Sequence, residues 1–266
     1  MYISIDQSTS SSTVFLYNKN LKLLSKTSKT HKQIQKKFGY VEHDAEEIYK
    51  NILFLLRKVS KKVKFNNNSF LSITNQRETF VIFDALSGKP LHNAIVWQCR
   101  RGQQVCDKIN KSSANKKLIK EDTGLTLDTY FPAPKLVELL GSNNNLKEKL
   151  KNGSALFGTI DTYLIYRLTK QKSYTTDNTN ASRTLFFNNK SLRWSKKLLK
   201  LFDLQFKRLP EVKESSSIFG YTNLNQLLKT SIPISGVMGL SLIHISEPTR
   251  QEAISYAVMG LEKKRG

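Results

Sequence analysis

The sequence predicts an α/β fold in which a mixed five-stranded sheet is flanked by helices. Residues 2–6 (YISID) alternate apolar and polar side chains, and a second β-rich run at 14–17 follows a stretch of Ser and Thr, as in an antiparallel hairpin. After Asp44, apolar residues recur with helical spacing. From residue 71 onward, strand-like and helix-like runs follow each other, which favours a sheet covered by helices.

A short meander and one long helix account for the first sixty or so residues. The residues Asn18, Lys19 and Asn20 favour a turn after the second strand, and a third strand is predicted at 21–24. Asp44 and Glu47 resemble a capping box, in which an N-cap side chain is paired with a carboxylate three residues on. The apolar positions of the helix that follows are Ile48, Ile52, Leu55, Leu56, Val59 and Val63.

The later elements alternate between strands and helices. Short β-rich runs predict three strands, at 71–74, 79–83 and 94–96. Two helices are predicted at 159–168 and 195–202, the second with Ser195 as its N-cap. The asparagine run at 143–145 is predicted to be a loop.

Lysine gives the chain its strong positive charge. The formal net charge is +22, and the sequence holds 33 Lys but only 10 Arg, together with 20 Asn. Lys and Asn are both encoded by A/T-rich codons, and no aromatic pattern that would stack bases is interleaved with the lysines. Compositional bias therefore explains the charge better than a nucleic-acid partner does, although a basic surface can still help to attract phosphorylated ligands.

Two further features indicate the setting of the protein. No apolar run reaches the roughly 18 residues that a membrane span needs, and residue 1 leads directly into a strand rather than a signal peptide. The two cysteines, Cys99 and Cys106, lack the spacing of a metal site or a disulfide scaffold. We therefore expect a soluble, cytoplasmic protein that does not insert into a membrane.

A hydroxyl-rich segment near the N-terminus is the candidate phosphate site. Neither the Walker pattern GxxxxGK[ST] nor GxGxxG occurs, so phosphate binding has to come from another element. Residues 6–12 (DQSTSSS) place the Asp6 carboxylate at a strand end and a tight Ser/Thr turn directly after it. Such a turn can aim N–H groups and hydroxyls at phosphate oxygens, while a carboxylate can hold hydrated Mg²⁺. A purely structural turn is the alternative, because Ser and Thr favour turns.

Four side chains make a candidate site for a polyol. Arg77 and Glu78 are adjacent at the end of a predicted strand, where loops often present functional groups. A carboxylate accepts hydrogen bonds from hydroxyls and a guanidinium donates them, so this pair suits vicinal hydroxyls. Trp97 can cover the carbon chain, and Tyr130 can add a hydroxyl contact. From spacing alone, a surface ion pair and a core tryptophan remain open as alternatives.

The motifs around these residues resemble the glycerol kinases of the FGGY carbohydrate kinase family. The segment at 6–12 is similar to the family's first phosphate motif. Further matches occur in the family's order with similar separations: ITNQRET at 73–79, NAIVWQCRR at 93–101 and DTYFPAPK at 128–135. Shorter matches are GYVEHD at 39–44, LFGTIDT at 156–162, DNTNASRT at 177–184 and LPEV at 209–212. The resemblance covers 2–239 and implies an actin-like, ribonuclease H-like ATPase fold.

On the phosphate side, the resemblance implies that Thr9, Ser10 and Ser11 contact the phosphates of ATP. It also implies that Asp6 lies by the accompanying Mg²⁺, which it holds through a water. One departure is Thr13, which stands where glycerol kinases usually have an arginine. Because a fixed positive charge is lost, we expect weaker nucleotide binding unless a nearby lysine substitutes.

On the polyol side, the resemblance implies that Arg77, Glu78 and Tyr130 hydrogen-bond the hydroxyls of glycerol. Trp97 would pack against the carbon backbone of glycerol. The variant at 132–134 (PAP) departs from the small polar residues usual in the family, which puts the local loop shape in doubt because proline fixes φ.

A second resemblance concerns the end of the chain. Residues 240–250 (LSLIHISEPTR) and 254–258 (ISYAV) resemble the translation of a sequencing-library adapter, in two pieces at the expected spacing. We therefore expect 1–239 to be the FGGY N-terminal domain and 240–266 to be an artefactual tail, with a natural divergent C-terminus as the alternative. In the family, an Asp-Gln pair follows Gly239 and its aspartate is the catalytic base, so this chain is expected to be inactive alone.

The leading hypothesis is an ATP-dependent glycerol kinase that makes sn-glycerol 3-phosphate, the first step of glycerol catabolism. Its implied ligands are glycerol, ATP and Mg²⁺, and a homo-oligomer of the full-length protein is left open. The alternatives are another FGGY sugar kinase and a non-catalytic actin-like binding module. His43 is predicted to be structural rather than a catalytic base.

Overall fold

The computed structural model describes residues 1–61 and 68–239. Its strands, in chain order, are β1 (Tyr2–Gln7), β2 (Ser11–Tyr17), β3 (Leu23–Thr30), β4 (Gln33–Ile34), β5 (Glu42–His43), β6 (Phe70–Asn75), β7 (Phe80–Asp84), β8 (Ala94–Ile95), β9 (Ala155–Thr159), β10 (Thr175–Asp177), β11 (Phe187–Asn188), β12 (Arg193–Trp194), β13 (Glu211–Lys213), β14 (Gly220–Thr222) and β15 (Ile232–Gly239). Its helices are α1 (Ala45–Ser60), α2 (Gln103–Asn110), α3 (Ser113–Thr123), α4 (Pro132–Gly141), α5 (Asn144–Asn152), α6 (Ile160–Leu168), α7 (Asn178–Ala181) and α8 (Lys196–Leu201).

A mixed six-stranded sheet forms the centre of the fold, with the strand order β14-β15-β6-β1-β2-β3. The pairs β1–β2 and β2–β3 are antiparallel, as the predicted meander requires. β1, β6 and β15 run parallel to one another, so their carboxyl ends meet at one edge. Apolar side chains of these strands face a core that α1 and α6 cover. Burial of such residues is the main stabilising contribution of this layer.

A second sheet, with the order β4-β5-β8-β7-β9, lies over a separate apolar core. This core includes residues of α2, α3, α4, α5 and α8, and Trp97 and Tyr130 pack against its margin. The loops that follow β8 and precede α4 are therefore anchored by a packed layer. That anchoring fixes where the candidate polyol residues lie.

The predicted α/β class with an actin-like mixed sheet is confirmed. The predicted helix after Asp44 is also confirmed: the Asp44 carboxylate accepts hydrogen bonds from the N–H groups of Glu46 and Glu47. Ser195 caps α8 by accepting from the Leu198 N–H. The predicted apolar position at residue 63 lies outside the described residues.

Three predictions about elements are corrected. The main sheet has six strands rather than five, because the three-residue β14 pairs with the edge of β15. The third strand is not at 21–24 but at Leu23–Thr30, where pairing with β2 holds a largely polar sequence in an extended conformation. The run 143–145 is not a loop: Asn143 is the N-cap of α5, accepting from the Leu146 N–H, and the helix begins at Asn144. Asparagine is among the favoured N-cap residues, which explains the difference.

Two further observations concern the setting of the protein. Among the helices of the described residues, none has the length and apolar character needed to cross a membrane. Cys99 and Cys106 are both free thiols and both are buried.

Candidate functional site

The parallel strands bring the candidate phosphate turn and the candidate polyol pair to one edge of the sheet. In register, Gln7 of β1 lies beside Asn75 of β6, which in turn lies beside Gly239 of β15. The Gln76 backbone N–H donates to the Gln7 carbonyl at 2.7 Å. The Gln76 side-chain amide donates to Gln7 Oε1 at 3.1 Å. Two motifs almost seventy residues apart in the sequence are thus adjacent in space.

The hydroxyl-rich turn between β1 and β2 is closed by its own backbone and by a histidine. The Ser8 N–H donates to the Ser11 carbonyl at 2.8 Å. The His31 N–H donates to the Ser10 carbonyl at 3.2 Å, and His31 Nε2 lies 2.9 Å from the Thr9 carbonyl oxygen. In a trans peptide the N–H points opposite to the carbonyl, so the N–H groups of Ser10 and Ser11 point away from His31. Outward-pointing N–H groups beside hydroxyls can bind an anion.

Trp97 connects this turn to the polyol side. Its Nε1 donates to Thr9 Oγ1 at 2.9 Å, and its backbone N–H donates to Thr79 Oγ1 at 3.1 Å. The ring centroids of Trp97 and Tyr130 are 5.4 Å apart. Trp97 is only partly buried, so it is not a residue of the sealed core. It forms a wall between the two candidate sites.

Glu78 combines a buried carboxylate with an unusual backbone conformation. Its φ is 62°, in the left-handed region that residues other than glycine rarely adopt. Its side chain is 2% exposed, and its Oε1 lies 3.9 Å from Arg77 Nε. The alternative of a surface ion pair is therefore wrong. Such conformations persist mainly where surrounding structure enforces them, often at functional sites.

Arg183 is a site residue that the sequence interpretation missed. Its Nε donates to Glu78 Oε1 at 2.5 Å. Its guanidinium lies 4.8 Å from the ring centroid of Phe131 and 5.7 Å from that of Tyr130. Burial raises the pKa of Glu78, whereas the hydrogen bond and charge of Arg183 oppose that rise. The only signal in the sequence was its position in the segment DNTNASRT at 177–184.

The prolines at 132–134 begin a helix rather than distort a loop. Pro132 lies in the first turn of α4, where a missing N–H costs nothing and a fixed φ is favourable. In the same turn, Lys135 is completely buried. Its Nζ donates to the carbonyls of Val96 and Trp97, each at 3.2 Å, and to that of Tyr130 at 2.8 Å. Lys135 was also missed as a site residue.

Asp6 provides a carboxylate suited to a divalent metal. It is 3% exposed and lies beside Thr13 of β2 and Thr74 of β6 in register. Within 1–61 and 68–239, no group of three His, Cys, Asp or Glu side chains could hold a metal ion by itself. Mg²⁺ is usually bound by one or two carboxylates together with substrate phosphates and waters, so Asp6 fits a metal shared with a nucleotide.

Thr13 adds no charge to the phosphate side. It is 8% exposed, and its Oγ1 lies 2.9 Å from Ser28 Oγ of β3, at hydrogen-bond distance. The short Thr13 side chain is thus hydrogen-bonded within the sheet, at a position where the family usually has a longer, cationic side chain. The expectation of weaker nucleotide binding stays a prediction.

Gly239 ends β15 in close contact with the polyol pair. Its N–H donates to Thr179 Oγ1 at 2.9 Å, and Thr179 in turn donates to Asp177 Oδ2 at 2.6 Å. A Cβ placed on Gly239 would lie 2.2 Å from Arg77 Cδ, far inside van der Waals contact. The strand end is therefore held from two sides, and only glycine fits there without a shift.

His43 lies under the hydroxyl-rich turn. It is completely buried, and its ring centroid is 4.6 Å from that of His31. Burial, together with the neighbouring His31, lowers the pKa of His43 to about 3, so its imidazole is neutral at physiological pH. Its Nδ1 lies 3.4 Å from Gln76 Nε2. These contacts agree with a structural role.

The mixed sheet, with a hydroxyl-rich hairpin turn at its carboxyl edge, defines an actin-like ATPase domain of the sugar-kinase type. Residues 1–240 match the family model described as the N-terminal domain of the FGGY family of carbohydrate kinases. The chain belongs to this family.

Relatives and solved structures agree with this assignment. Glycerol kinase 1 of Thermotoga maritima is 45% identical over 242 residues, which are 90% of this chain and 49% of the relative. A crystal structure of Plasmodium falciparum glycerol kinase with ADP is 37% identical, with a TM-score of 0.82 over 91% of this chain and 49% of that one. Gluconate kinase from Lactobacillus acidophilus, at 22% identity and a TM-score of 0.76, shares the fold. The chain spans about half the length of these relatives.

Proposed function

We propose that this chain supplies the polyol-binding and phosphate-binding half of an ATP-dependent glycerol kinase that makes sn-glycerol 3-phosphate. The observation that carries the proposal is the 2.9 Å hydrogen bond from Trp97 Nε1 to Thr9 Oγ1, which joins the wall of the polyol site to the phosphate turn. Phosphoryl transfer needs the acceptor hydroxyl close to the donor phosphate and in line with it. Relatives named glycerol kinase, at 40% to 45% identity, support glycerol as the acceptor.

In this proposal the polyol is held by complementary hydrogen-bonding groups. Arg77 donates to glycerol hydroxyls, Glu78 accepts from them, and Tyr130 adds a further contact. Trp97 covers the carbon chain with an apolar face. Arg183 orients the Glu78 carboxylate through the hydrogen bond from its Nε to Oε1, and its charge opposes the rise in the pKa of Glu78 that burial causes.

The phosphate side is proposed to use backbone and hydroxyl donors. Thr9, Ser10 and Ser11 contact the phosphates of ATP, and Asp6 holds Mg²⁺ through a water. When bound, the metal neutralises charge on the transferred phosphoryl group. With Thr13 in place of an arginine, ATP affinity is expected to be lower than in relatives that keep the cation.

We further propose that residues 1–239 form the family domain and that 240–266 is the adapter-derived tail, which lies outside the described residues. The resemblance places an Asp-Gln pair directly after Gly239, with the aspartate as catalytic base, whereas this chain continues with Leu240 and Ser241. Phosphoryl transfer depends on a positioned base, so we propose that a chain with Leu240 and Ser241 in place of that pair does not turn over. A coupled assay for glycerol-dependent ADP release tests this, and ordinary kinase rates would contradict it.

Glycerol binding is the direct test of the site. The chain has two tryptophans, and each indole N–H has one clear partner: Trp97 donates to Thr9 Oγ1, and Trp194 donates to the Pro210 carbonyl. In ¹H–¹⁵N spectra we expect glycerol to shift the Trp97 indole signal saturably and to leave that of Trp194 unchanged. Propan-1-ol, which lacks the vicinal hydroxyls, is the matched control ligand. Equal effects of both ligands, or no effect of glycerol, would reject the proposal.

Two other functions remain to be separated by experiment. Another FGGY sugar kinase would prefer a larger polyol, and a substrate panel on the full-length parent distinguishes it from a glycerol kinase. A non-catalytic actin-like module is favoured by the engagement of Thr13 with Ser28. Recovery of an uninterrupted gene that encodes Asp-Gln after Gly239 would reject the module.

The free thiols of Cys99 and Cys106 support a reducing cytoplasmic setting.

A further inference from the structure

Lys135 is an exceptional residue in this fold. Its side chain has no exposure to solvent, although lysine is almost never completely buried unless it is paired. It lies in the first turn of α4, directly behind the candidate polyol site. A buried ammonium requires a specific set of partners, because its desolvation costs free energy.

The partners of Lys135 are three backbone carbonyls. Nζ donates to Val96 and Trp97 at 3.2 Å and to Tyr130 at 2.8 Å. An ammonium has three N–H donors and satisfies all three oxygens, whereas a neutral amine has only two donors. Full satisfaction of this cluster therefore requires the protonated lysine.

These carbonyls belong to the segments that carry the two aromatic site residues. Trp97 follows β8, and Tyr130 precedes α4, so the segments are 33 residues apart in the sequence. Lys135 links their backbones at a single point, while their rings lie 5.4 Å apart on the site side. The spacing of the two rings thus depends on this link.

Several charged or titratable groups surround Lys135. Burial is the dominant influence and lowers the pKa of Lys135 to about 7. Cys99, Glu78 and Asp128 oppose that lowering, and Arg101 adds to it. The protonation state of Lys135 therefore changes near neutral pH. Above this pH, one carbonyl of the cluster loses its donor.

We propose that Lys135 is a positioning residue of the polyol site, whose ammonium holds the Trp97 and Tyr130 segments at the spacing that glycerol requires. The inference rests on the proposed glycerol-binding function. It extends that function by adding a residue that does not touch the substrate, and it makes glycerol binding dependent on pH. Loss of the third donor is expected to weaken glycerol binding about 5-fold, the effect of one ordinary hydrogen bond.

The first experiment follows the wild-type chain alone from pH 5.5 to 9. We expect the ¹³C carbonyl signals of Trp97 and Tyr130 to titrate together with a midpoint near 7, in step with the Lys135 Nζ signal. The Pro210 carbonyl, which accepts from Trp194 Nε1 at 2.8 Å, is the internal reference and should not move. Carbonyls that stay constant over this range would overturn the proposal, whether or not any variant folds.

The second experiment measures glycerol affinity across the same range in wild type, K135M and K120M. Lys120 is the matched control: its Nζ also donates to a backbone carbonyl, that of Gly124 at 2.8 Å, but on an exposed part of α3. We expect wild type and K120M to lose about 5-fold in affinity between pH 6 and pH 8.5. K135M should bind weakly at both pH values, with no midpoint near 7.

The outcomes separate this inference from the function on which it rests. If glycerol binds wild type and K135M equally and with the same pH profile, the positioning role is wrong and the polyol site stands. If the Trp97 and Tyr130 carbonyls titrate as expected but glycerol does not bind at any pH, the glycerol proposal fails and the structural link stands.

Discussion

At the scale of single residues, Glu78 is a buried carboxyl group whose arginine partners oppose the effect of burial on its pKa. Its carboxylate is 2% exposed, and its backbone adopts a left-handed conformation. Arg183 and Arg77 are the nearby cations, at 2.5 Å and 3.9 Å from Oε1. Burial raises the pKa of Glu78, and the hydrogen bond and charge of Arg183, together with the charge of Arg77, oppose that rise. An ionised oxygen accepts hydrogen bonds from hydroxyls more strongly than a neutral one.

The substitution Glu78→Gln tests this charge. Glutamine keeps the shape of the side chain but removes the charge, so Arg183 is left without its anion. We expect glycerol affinity to fall by about 10-fold or more, since a hydrogen bond to a charged group contributes about 1.5–3 kcal/mol. The measurement is a glycerol titration followed on the Trp97 indole signal. E121Q, at the exposed Glu121 on α3, is the control and should bind as wild type does.

Residue-scale interpretation of the sequence proposed Arg77, Glu78, Trp97 and Tyr130, because each stands in a motif with recognisable chemistry, and their roles stay predictions. It missed Arg183 and Lys135 for a physical reason. Arg183 meets Glu78 across 105 residues, and the partners of Lys135 are backbone carbonyls, which no residue type reveals. Contacts of this kind become visible only when the chain is folded.

At the scale of elements, the end of β15 lies against the candidate polyol pair. Gly239 is held by the Thr179 hydroxyl on one side and by the Arg77 side chain on the other. Residue 239 therefore has to be a glycine, because any Cβ at this position would clash with the Arg77 side chain. The position of the β15 end is therefore coupled to the position of Arg77.

We expect Gly239→Ala to lower both stability and glycerol affinity. Its new Cβ would displace Arg77 or β15, and overpacking of this kind typically costs about 1–3 kcal/mol. Gly141→Ala at the end of α4 is the matched control, because a Cβ there meets nothing within 4 Å. Urea unfolding and glycerol titration of both variants provide the measurement. A G239A variant that unfolds and binds like G141A would contradict the expected clash.

A second element-scale prediction concerns the contact between α6 and β10. Asp161 of α6 is completely buried, and its Oδ2 accepts from Thr176 Oγ1 at 2.7 Å. Burial raises the pKa of Asp161 to about 7, well above the ordinary value of a carboxyl group, and the neighbouring Asp177 carboxylate adds to the rise. Because the folded pKa is raised, the contribution to stability is complete below about pH 4 and is lost as pH rises through 7.

Asp161→Asn removes this titration while keeping an oxygen acceptor for Thr176. We expect the free energy of unfolding of D161N to equal that of wild type near pH 4 and to exceed it progressively up to pH 8. Urea unfolding at several pH values measures the difference between the two proteins. A difference that does not change with pH would show that Asp161 is already ionised in the folded chain.

Element prediction succeeded where apolar periodicity was strong, as in α1, and failed where tertiary pairing decides. The polar sequence Leu23–Thr30 becomes a strand only because β2 pairs with it. Asn143 looks like a loop residue in the sequence, yet it caps α5. In both cases a contact that exists only in the folded chain overrides the local preference of the sequence.

At the scale of the whole molecule, two packed layers support one site. The core under the six-stranded sheet fixes the phosphate turn and the Arg77–Glu78 loop, and the core under the second sheet fixes Trp97 and Tyr130. The hydrogen bond between Trp97 and Thr9 joins the layers at the site. In the first sheet the sequence predicted β1, β2 and β6, which β-rich runs mark, but not β14 or β15. In the second sheet it predicted β7 and β8, whereas β4 and β5 have two residues each, which leave almost no local pattern.

The described part of the chain, 1–61 and 68–239, contains both apolar cores, which makes a truncation the sharpest test of the domain boundary. A chain of residues 1–239 should unfold cooperatively, with a Tm within about 4 °C of the full chain, as expected when less than roughly 1 kcal/mol is lost. It should also keep the glycerol-dependent shift of the Trp97 indole signal. Thermal melts and the same titration on both chains measure this. Loss of cooperative unfolding in the truncated chain would show that residues 240–266 contribute to the fold, and the boundary at 239 would then be wrong.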